Sequence, residues 1–88
     1  MRKQIMTLDT IKDELYRYIM EKYALDGDPD YTTDVNLFDY GFLDSMGATE
    51  VIMWLEETYG IEISQKDIIL NPMNSVDEIA EVVFGKVN

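Results

Sequence analysis

The sequence predicts an all-α fold, a four-helix bundle with three long helices, one short helix and a long first loop. Two observations support this prediction. Apolar residues recur at spacings of three and four along most of the chain, and no segment of useful length alternates as a half-buried strand would. A chain of 88 residues has room for one core, so we expect one domain over residues 1–88. The helices are expected at about 7–24, 45–59, 65–70 and 75–85.

One apolar stripe predicts the first helix, and it comprises Leu8, Ile11, Leu15, Tyr18, Ile19 and Tyr23. Two residues can cap its start. Thr10 is followed three residues later by Asp13, which is the form of a capping box, and Thr7 is the other candidate. The helix is expected to fade near Ala24, before an acidic segment that contains glycine and proline.

Residues 25–43 show no helical or strand period, and a structureless loop of this length is uncommon in a compact domain. We therefore expect an ordered crossover with a turn at Tyr40 and Gly41. Its apolar residues are expected to pin it to the core, and they are Val35, Leu37, Phe38, Phe42 and Leu43.

The second helix is expected to start at Ser45 or Met46 and to stop at Gly60, a natural C-terminal residue. Its apolar face comprises Ala48, Val51, Ile52, Leu55 and Tyr59. Two further helix starts follow, each a serine with an acid three residues later: Ser64 with Asp67, and Ser75 with Glu78.

The composition excludes several classes of function. The chain has no cysteine and no histidine, which removes disulfides, thiolate metal sites, a cysteine nucleophile and the commonest general base. The net charge is −11, from 18 acidic and 7 basic residues, so we expect no nucleic-acid binding and partners with basic surfaces. No apolar run approaches membrane-spanning length. We expect a cytoplasmic monomer.

Alternate acids at Asp26, Asp28 and Asp30 invite comparison with a calcium-binding EF-hand loop. The rest of that loop is missing, because its glycine position holds Tyr31 and its final glutamate position holds Leu37. An acidic, solvated loop fits the segment better, and we expect no metal site.

Ser45 stands at the start of the second predicted helix, where a serine usually serves only as a cap. The other three predicted capping residues each have an acid three positions later, whereas Ser45 has Ala48 there. Asp44, just before it, is itself a good cap, so the helix does not need the Ser45 hydroxyl. Self-contained hydrolysis is not expected, because Ser45 lacks the glycines of a nucleophile elbow and has no histidine to activate it.

A second stripe on this helix, separate from its apolar face, comprises Met46, Thr49, Glu50, Met53 and Glu57. Two methionines bordered by these acids and by Glu56 indicate an adaptable docking surface with an acidic rim. The alternative is an ordinary surface with two tolerated methionines, and the spacing favours neither.

Residues 44–63, DSMGATEVIMWLEETYGIEI, resemble the acyl carrier protein family. The shared features are an Asp-Ser pair before a large apolar residue, two glutamates near the helix end, an aromatic residue before a turn, and an apolar–acid–apolar strip. Here they are Asp44, Ser45 and Met46; Glu56 and Glu57; Tyr59 and Gly60; and Ile61, Glu62 and Ile63. The resemblance extends over nearly the whole chain, including the approach at residues 37–43 and the last helix from Ser75.

The resemblance implies that Ser45 is the attachment site of 4′-phosphopantetheine, added from coenzyme A by a separate phosphopantetheinyl transferase. Asp44 would belong to the motif that this transferase recognises, and Met46 and the helix after it to the partner-docking surface. The chain would then be a carrier of thioester-bound cargo, serving enzymes that load and transfer acyl or aminoacyl groups, and not itself an enzyme. The alternative is a helical interaction module that shares the fold and is never pantetheinylated.

Within the family, the run from Gly41 to Gly47 looks closer to D-alanyl and other stand-alone aminoacyl carriers than to fatty-acid carriers. Those carriers commonly show Gly-x-Leu-Asp-Ser-aromatic-Gly, with Met46 here in place of the aromatic residue. Many fatty-acid carriers have an acid where this chain has Gly47, which implies a different partner set. We expect a short acyl or aminoacyl cargo, with fatty-acyl or polyketide cargo as the alternative. Trp54, at the edge of the core face, can point towards or away from a cargo cavity.

Overall fold

A computed structural model describes residues 6–87, and four helices account for the regular structure in that range. They are α1 (Leu8–Lys22), α2 (Ser45–Tyr59), α3 (Gln65–Leu70) and α4 (Val76–Val87). The predicted all-α class, with three long helices and one short one, is confirmed. The ends of the predicted domain, residues 1–5 and 88, lie outside the described residues.

The core lies where α1 packs along α4 and α2 meets α4. The core side chains that are less than 2% exposed to solvent come from the three long helices and the long loop. The largest of them are Ile11, Leu15, Ile19, Leu37, Val51, Leu55, Val76 and Val83. Every helical member of this set falls on the three-and-four spacing of its own helix, so the apolar stripes of the sequence are the faces that pack.

The structure decides between the two candidate caps of α1, and it ends the helix slightly earlier than expected. Thr7 is its cap, with its side-chain oxygen accepting a hydrogen bond from the Thr10 backbone N–H at 3.1 Å, so the alternative start at Thr10 is wrong. The helix stops at Lys22, and Ala24 adopts a left-handed backbone with φ of 54°, which no continuing helix could contain. α4 continues through Gly85 to Val87, because a glycine permits a left-handed stop without requiring one.

Tyr31 and Tyr16 hold the first half of the long loop against α1. Their rings stack with centroids 4.4 Å apart. The Tyr31 hydroxyl donates to the Tyr16 carbonyl at 2.7 Å, and the Tyr16 hydroxyl donates to the Tyr31 carbonyl at 3.1 Å. The loop is therefore an ordered crossover, as predicted, although Phe38 is 39% exposed and does not serve as a core anchor.

α3 lies over the bundle without burying any of its six residues, so polar contacts have to hold it in place. Ser64 and Asp67 form the predicted capping box. The Asp67 carboxylate also pairs with Lys86 of α4 at 2.9 Å. The hydrogen bond from Lys86 and those from Ser64 lower the pKa of Asp67 to about 2.

The ion pair of Asp67 and Lys86 is expected to contribute to the stability of the fold in a way that depends on pH. The pKa of Asp67 in the folded state lies below its ordinary value of 3.8, so its stabilising contribution is complete above that value and is lost as the pH falls through about 2. We expect Asp67→Asn to lower the melting temperature at pH 7, and the deficit relative to wild type to shrink between about pH 5 and pH 2. Circular dichroism melts over that range measure it.

Glu62→Gln is the matched control, because Glu62 is exposed and belongs to none of the ion pairs within residues 6–87. It removes one negative charge at a site without a partner. The proposed role of the Asp67 ion pair is contradicted if the melting temperature of Asp67→Asn stays below that of wild type by the same amount from pH 5 to pH 2. It is also contradicted if Glu62→Gln lowers the melting temperature equally.

Candidate functional site

The first turn of α2 is capped by Asp44. This residue has extended backbone angles, and its Oδ1 accepts a hydrogen bond from the Gly47 N–H at 2.7 Å. Its carbonyl accepts the bond from the Ala48 N–H at 2.9 Å, which opens the helical ladder. Ser45 is the first residue inside the helix and is exposed. The prediction that Asp44 relieves Ser45 of the capping role is confirmed.

Ser45 thus occupies a different place from the residues that begin the other helices. Thr7, Ser64 and Ser75 each accept a hydrogen bond from a backbone N–H three residues later, so their hydroxyls are used in the fold. The first turn of α2 contains no acidic residue, unlike the first turns of the other three helices. An anionic group on the Ser45 hydroxyl would meet the positive end of the helix dipole while the cap stays in place.

The underside of this turn rests on the end of α1. Gly47 is buried, and a Cβ built on it would lie 2.5 Å from the Tyr23 hydroxyl oxygen. Beside this contact, Lys22 forms an ion pair with Glu50 of α2 at 3.3 Å. Burial, followed by the carboxylate of Glu50, raises the pKa of the Tyr23 phenol, which therefore stays protonated in neutral solution.

The two methionines expected on the docking stripe are on the surface, with Met46 75% exposed and Met53 53% exposed. Between them Thr49 is also exposed, and its hydroxyl donates to the Ser45 carbonyl at 3.1 Å. Single exposed methionines need no explanation, but two on one helical stripe next to Ser45 form an apolar strip.

The three acids expected beside this strip differ in their surroundings. Glu50 is paired with Lys22, as described above. Glu56 is half-buried, and its Oε2 accepts the backbone N–H of Ile63 at 2.9 Å, which fixes the connection from α2 to α3. Glu57 is exposed and belongs to none of the ion pairs within residues 6–87. Glu57 is therefore the acid most available to a partner.

An apolar cavity of about 350 Å³ opens between α2 and α3, and the sequence did not indicate it. Its walls include Leu43, Val51, Ile52, Leu55, Ile68 and Ile69. Trp54 is not among the lining residues, because its ring stacks on Tyr18 of α1 with centroids 4.2 Å apart. The sequence signal that could have indicated the cavity was the run of three apolar residues at Ile68, Ile69 and Leu70. In the structure, α3 has no buried residue, so these side chains do not belong to the core.

The acidic segment of the long loop was compared above with a calcium site. Within residues 6–87 the structure contains no group of three or more acidic, histidine or cysteine side chains arranged to hold a metal ion. The same range contains no helix long and apolar enough to cross a membrane.

A four-helix chain with an exposed serine at the start of its second helix has the form of a carrier domain. The family described as "Phosphopantetheine attachment site" matches residues 13–83, and the chain belongs to that family. Residues 13–83 are therefore a phosphopantetheine-binding domain, and the cofactor implied by the resemblance, covalently attached 4′-phosphopantetheine, is confirmed. The alternative of an unmodified interaction module is not favoured.

Curated relatives carry the name "D-alanyl carrier protein" in Streptococcus pyogenes serotype M5 (strain Manfredo), serotype M49 (strain NZ131) and serotype M1. Each is 38% identical over 50 residues, which are 57% of this chain. The match spans 63% of the length of these relatives, less than two thirds. No solved structure matches the chain.

Proposed function

We propose that Ser45 carries the 4′-phosphopantetheine arm and that the chain presents acyl or aminoacyl thioesters on it to partner enzymes. The observation that supports this is an exposed Ser45 in the first turn of α2 with Asp44 supplying the cap. The residues fit the group: a phosphodiester on the hydroxyl would sit at a helix N-terminus that has no acid in its first turn.

The proposed modification uses coenzyme A as the donor. The Ser45 oxygen forms the new bond to phosphorus, its proton passes to the transferase, and adenosine 3′,5′-bisphosphate leaves. The arm supplies the thiol that this cysteine-free chain lacks. Asp44 keeps the serine in the first helical turn through its bond to the Gly47 N–H, and it is the residue beside Ser45 that the transferase would meet.

We propose that partners dock on the exposed strip of α2, formed by Met46, Thr49 and Met53, with Glu50, Glu56 and Glu57 as its acidic rim. The exposure of the methionines supports the apolar part. The net charge of −11 supports basic partner surfaces, including that of the phosphopantetheinyl transferase. The same charge opposes self-association, and we propose a monomer that acts in the cytoplasm.

We propose a short acyl or aminoacyl cargo. The names of the relatives, which are D-alanyl carrier proteins, support an amino acid, as does the run from Gly41 to Gly47. One observation favours a second candidate, a longer acyl chain: the apolar cavity between α2 and α3 has the size of a small-molecule pocket. The two cargoes differ in whether loading fills that cavity.

The attachment site is tested by Ser45→Ala. We expect this variant to fold like wild type, because the Asp44 cap remains, and to change the free energy of unfolding by well under the roughly 1 kcal/mol of a lost cap. Mass spectrometry after co-expression with a broad-specificity phosphopantetheinyl transferase should show the arm on wild type and none on the variant. Ser64→Ala is the control, and it should still gain the arm. If Ser45→Ala still gains the arm, Ser45 is not the attachment site.

The acidic rim is tested at Glu57, whose charge can be reversed without breaking an ion pair or hydrogen bond within residues 6–87. We expect Glu57→Lys to slow modification by the transferase at low salt, with the difference from wild type shrinking as salt rises, because exposed charges act mainly on association. Glu81→Lys on α4 changes the net charge equally and should have the smaller effect. Equal rates for the two variants at low salt would contradict the proposed rim.

The cargo is tested by loading the pantetheinylated protein with an amino acid or with an octanoyl chain and measuring melting temperature. Burial of three methylenes in the cavity would contribute about 2.4 kcal/mol, which raises the melting temperature by roughly 10–20 °C in a domain of this size. We expect neither group to produce such a rise. Because Trp54 lies outside the cavity, its fluorescence controls for changes elsewhere in the bundle. A large rise with octanoyl alone would favour the longer acyl cargo.

A further inference from the structure

The contact between Tyr23 and Gly47 ties the end of α1 to the turn that contains Ser45. Gly47 has no positive φ, so its backbone does not require glycine. The space does: a Cβ would lie 2.5 Å from the Tyr23 hydroxyl oxygen, 3.2 Å from Asp44 Oδ1 and 3.2 Å from Leu43 Cδ2. Real Cβ atoms essentially never lie this close to another atom, so a side chain at this position requires a shift of the Tyr23 ring, of the turn or of both.

Tyr23 has a second unusual property. Its hydroxyl oxygen is buried and forms no hydrogen bond within the described residues, which costs stability. A phenylalanine would avoid that cost. The Tyr23 oxygen lies beside Gly47, 2.5 Å from the position that a Cβ on Gly47 would occupy.

Neighbouring contacts restrict how Tyr23 can move. The Lys22 ammonium lies 5.9 Å from the centroid of the Tyr23 ring and is paired at the same time with Glu50 at 3.3 Å. Glu50 lies three residues after Gly47 on α2, so this pair and the Tyr23 contact join the same two ends. Together they fix the first turn of α2 relative to α1.

We propose that Tyr23 is a positioning residue for Ser45. Its hydroxyl oxygen sets how closely the first turn of α2 approaches α1, through Gly47, and so sets the orientation in which the Ser45 hydroxyl meets the transferase. The inference rests on the proposed attachment at Ser45 and adds to it the residue pair that aims the serine. Small displacements of a reacting group cost rate even where binding is unchanged.

The test is a double-mutant cycle of Gly47→Ala, Tyr23→Phe and their combination. The kcat and KM for transfer from coenzyme A by a broad-specificity transferase are measured at a temperature far below every melting temperature. We expect Gly47→Ala to lower kcat about tenfold with KM for the carrier little changed. Tyr23→Phe removes the oxygen and lets the turn approach α1 more closely, so it should also lower kcat, by a smaller factor than Gly47→Ala. The double variant should recover most of the loss, because the methyl group then takes the place of the hydroxyl oxygen.

Gly85→Ala is the matched control, because Gly85 lies in α4 with no atom within 4 Å of a built Cβ. It should leave both kinetic constants unchanged. A purely stabilising role would shift the melting temperature and leave kcat unchanged.

If folded Gly47→Ala has the kcat of wild type, or if the double variant shows no recovery, the positioning role is overturned. The proposed attachment at Ser45 still holds in that case, provided that the wild-type chain gains the arm. A wild-type chain that gains no arm would overturn the proposed attachment, and this inference with it. If Gly47→Ala does not fold, Tyr23→Leu replaces it, since it removes the ring from beneath the turn. That variant is expected to lower kcat, and an unchanged kcat would overturn the proposal.

Discussion

Leu37 holds the long loop to the rest of the protein, and the position of Ser45 depends on it. Its side chain is fully buried, and its N–H donates to the Asn74 carbonyl just before α4 at 2.7 Å. Its carbonyl accepts hydrogen bonds from the N–H groups of Phe42 at 2.9 Å and Leu43 at 3.1 Å. One residue therefore anchors the loop to α4 and closes the turn that leads into α2. Without Leu37, the segment that leads into α2 would lose its hydrogen bond to Asn74 and the two bonds that close its turn.

The start of α2 separates structural from functional chemistry. Asp44 satisfies the helix end and Gly47 packs inward, which leaves Ser45 and Met46 on the surface with little part in the fold. A side chain that the fold does not use can carry a large substituent at small cost to stability. With the arm on Ser45, as proposed, this division would let so small a domain bear a bulky group without rearranging its core.

Two contacts change how the sequence is interpreted. In the sequence, Gly47 implies a partner set unlike that of fatty-acid synthesis, but its place beside Tyr23 gives a packing reason for a glycine there. Glu56 was placed on the acidic rim, yet its carboxylate also fixes the connection to α3 through the Ile63 N–H. In both cases, a residue that looks like a recognition element in sequence also has a structural task.

The helices, most of their ends and the distinction of Ser45 from the capping residues can be predicted from the sequence. These features depend on interactions within about four residues, such as the capping bonds of Thr7 and Ser64, so a linear pattern contains them. One local feature could not be predicted: the sequence offers Thr7 and Thr10 as caps of α1, and the folded chain uses Thr7.

The surroundings of Ser45, in contrast, depend on how the helices pack and could not be predicted from the sequence. The contact of Tyr23 with Gly47, the stacking of Trp54 on Tyr18 and the cavity under α3 each join residues more than ten positions apart. Spacing along a helix gives the face a residue occupies, but not which other helix covers that face or how closely it approaches. That information exists only once the three long helices have packed around one core.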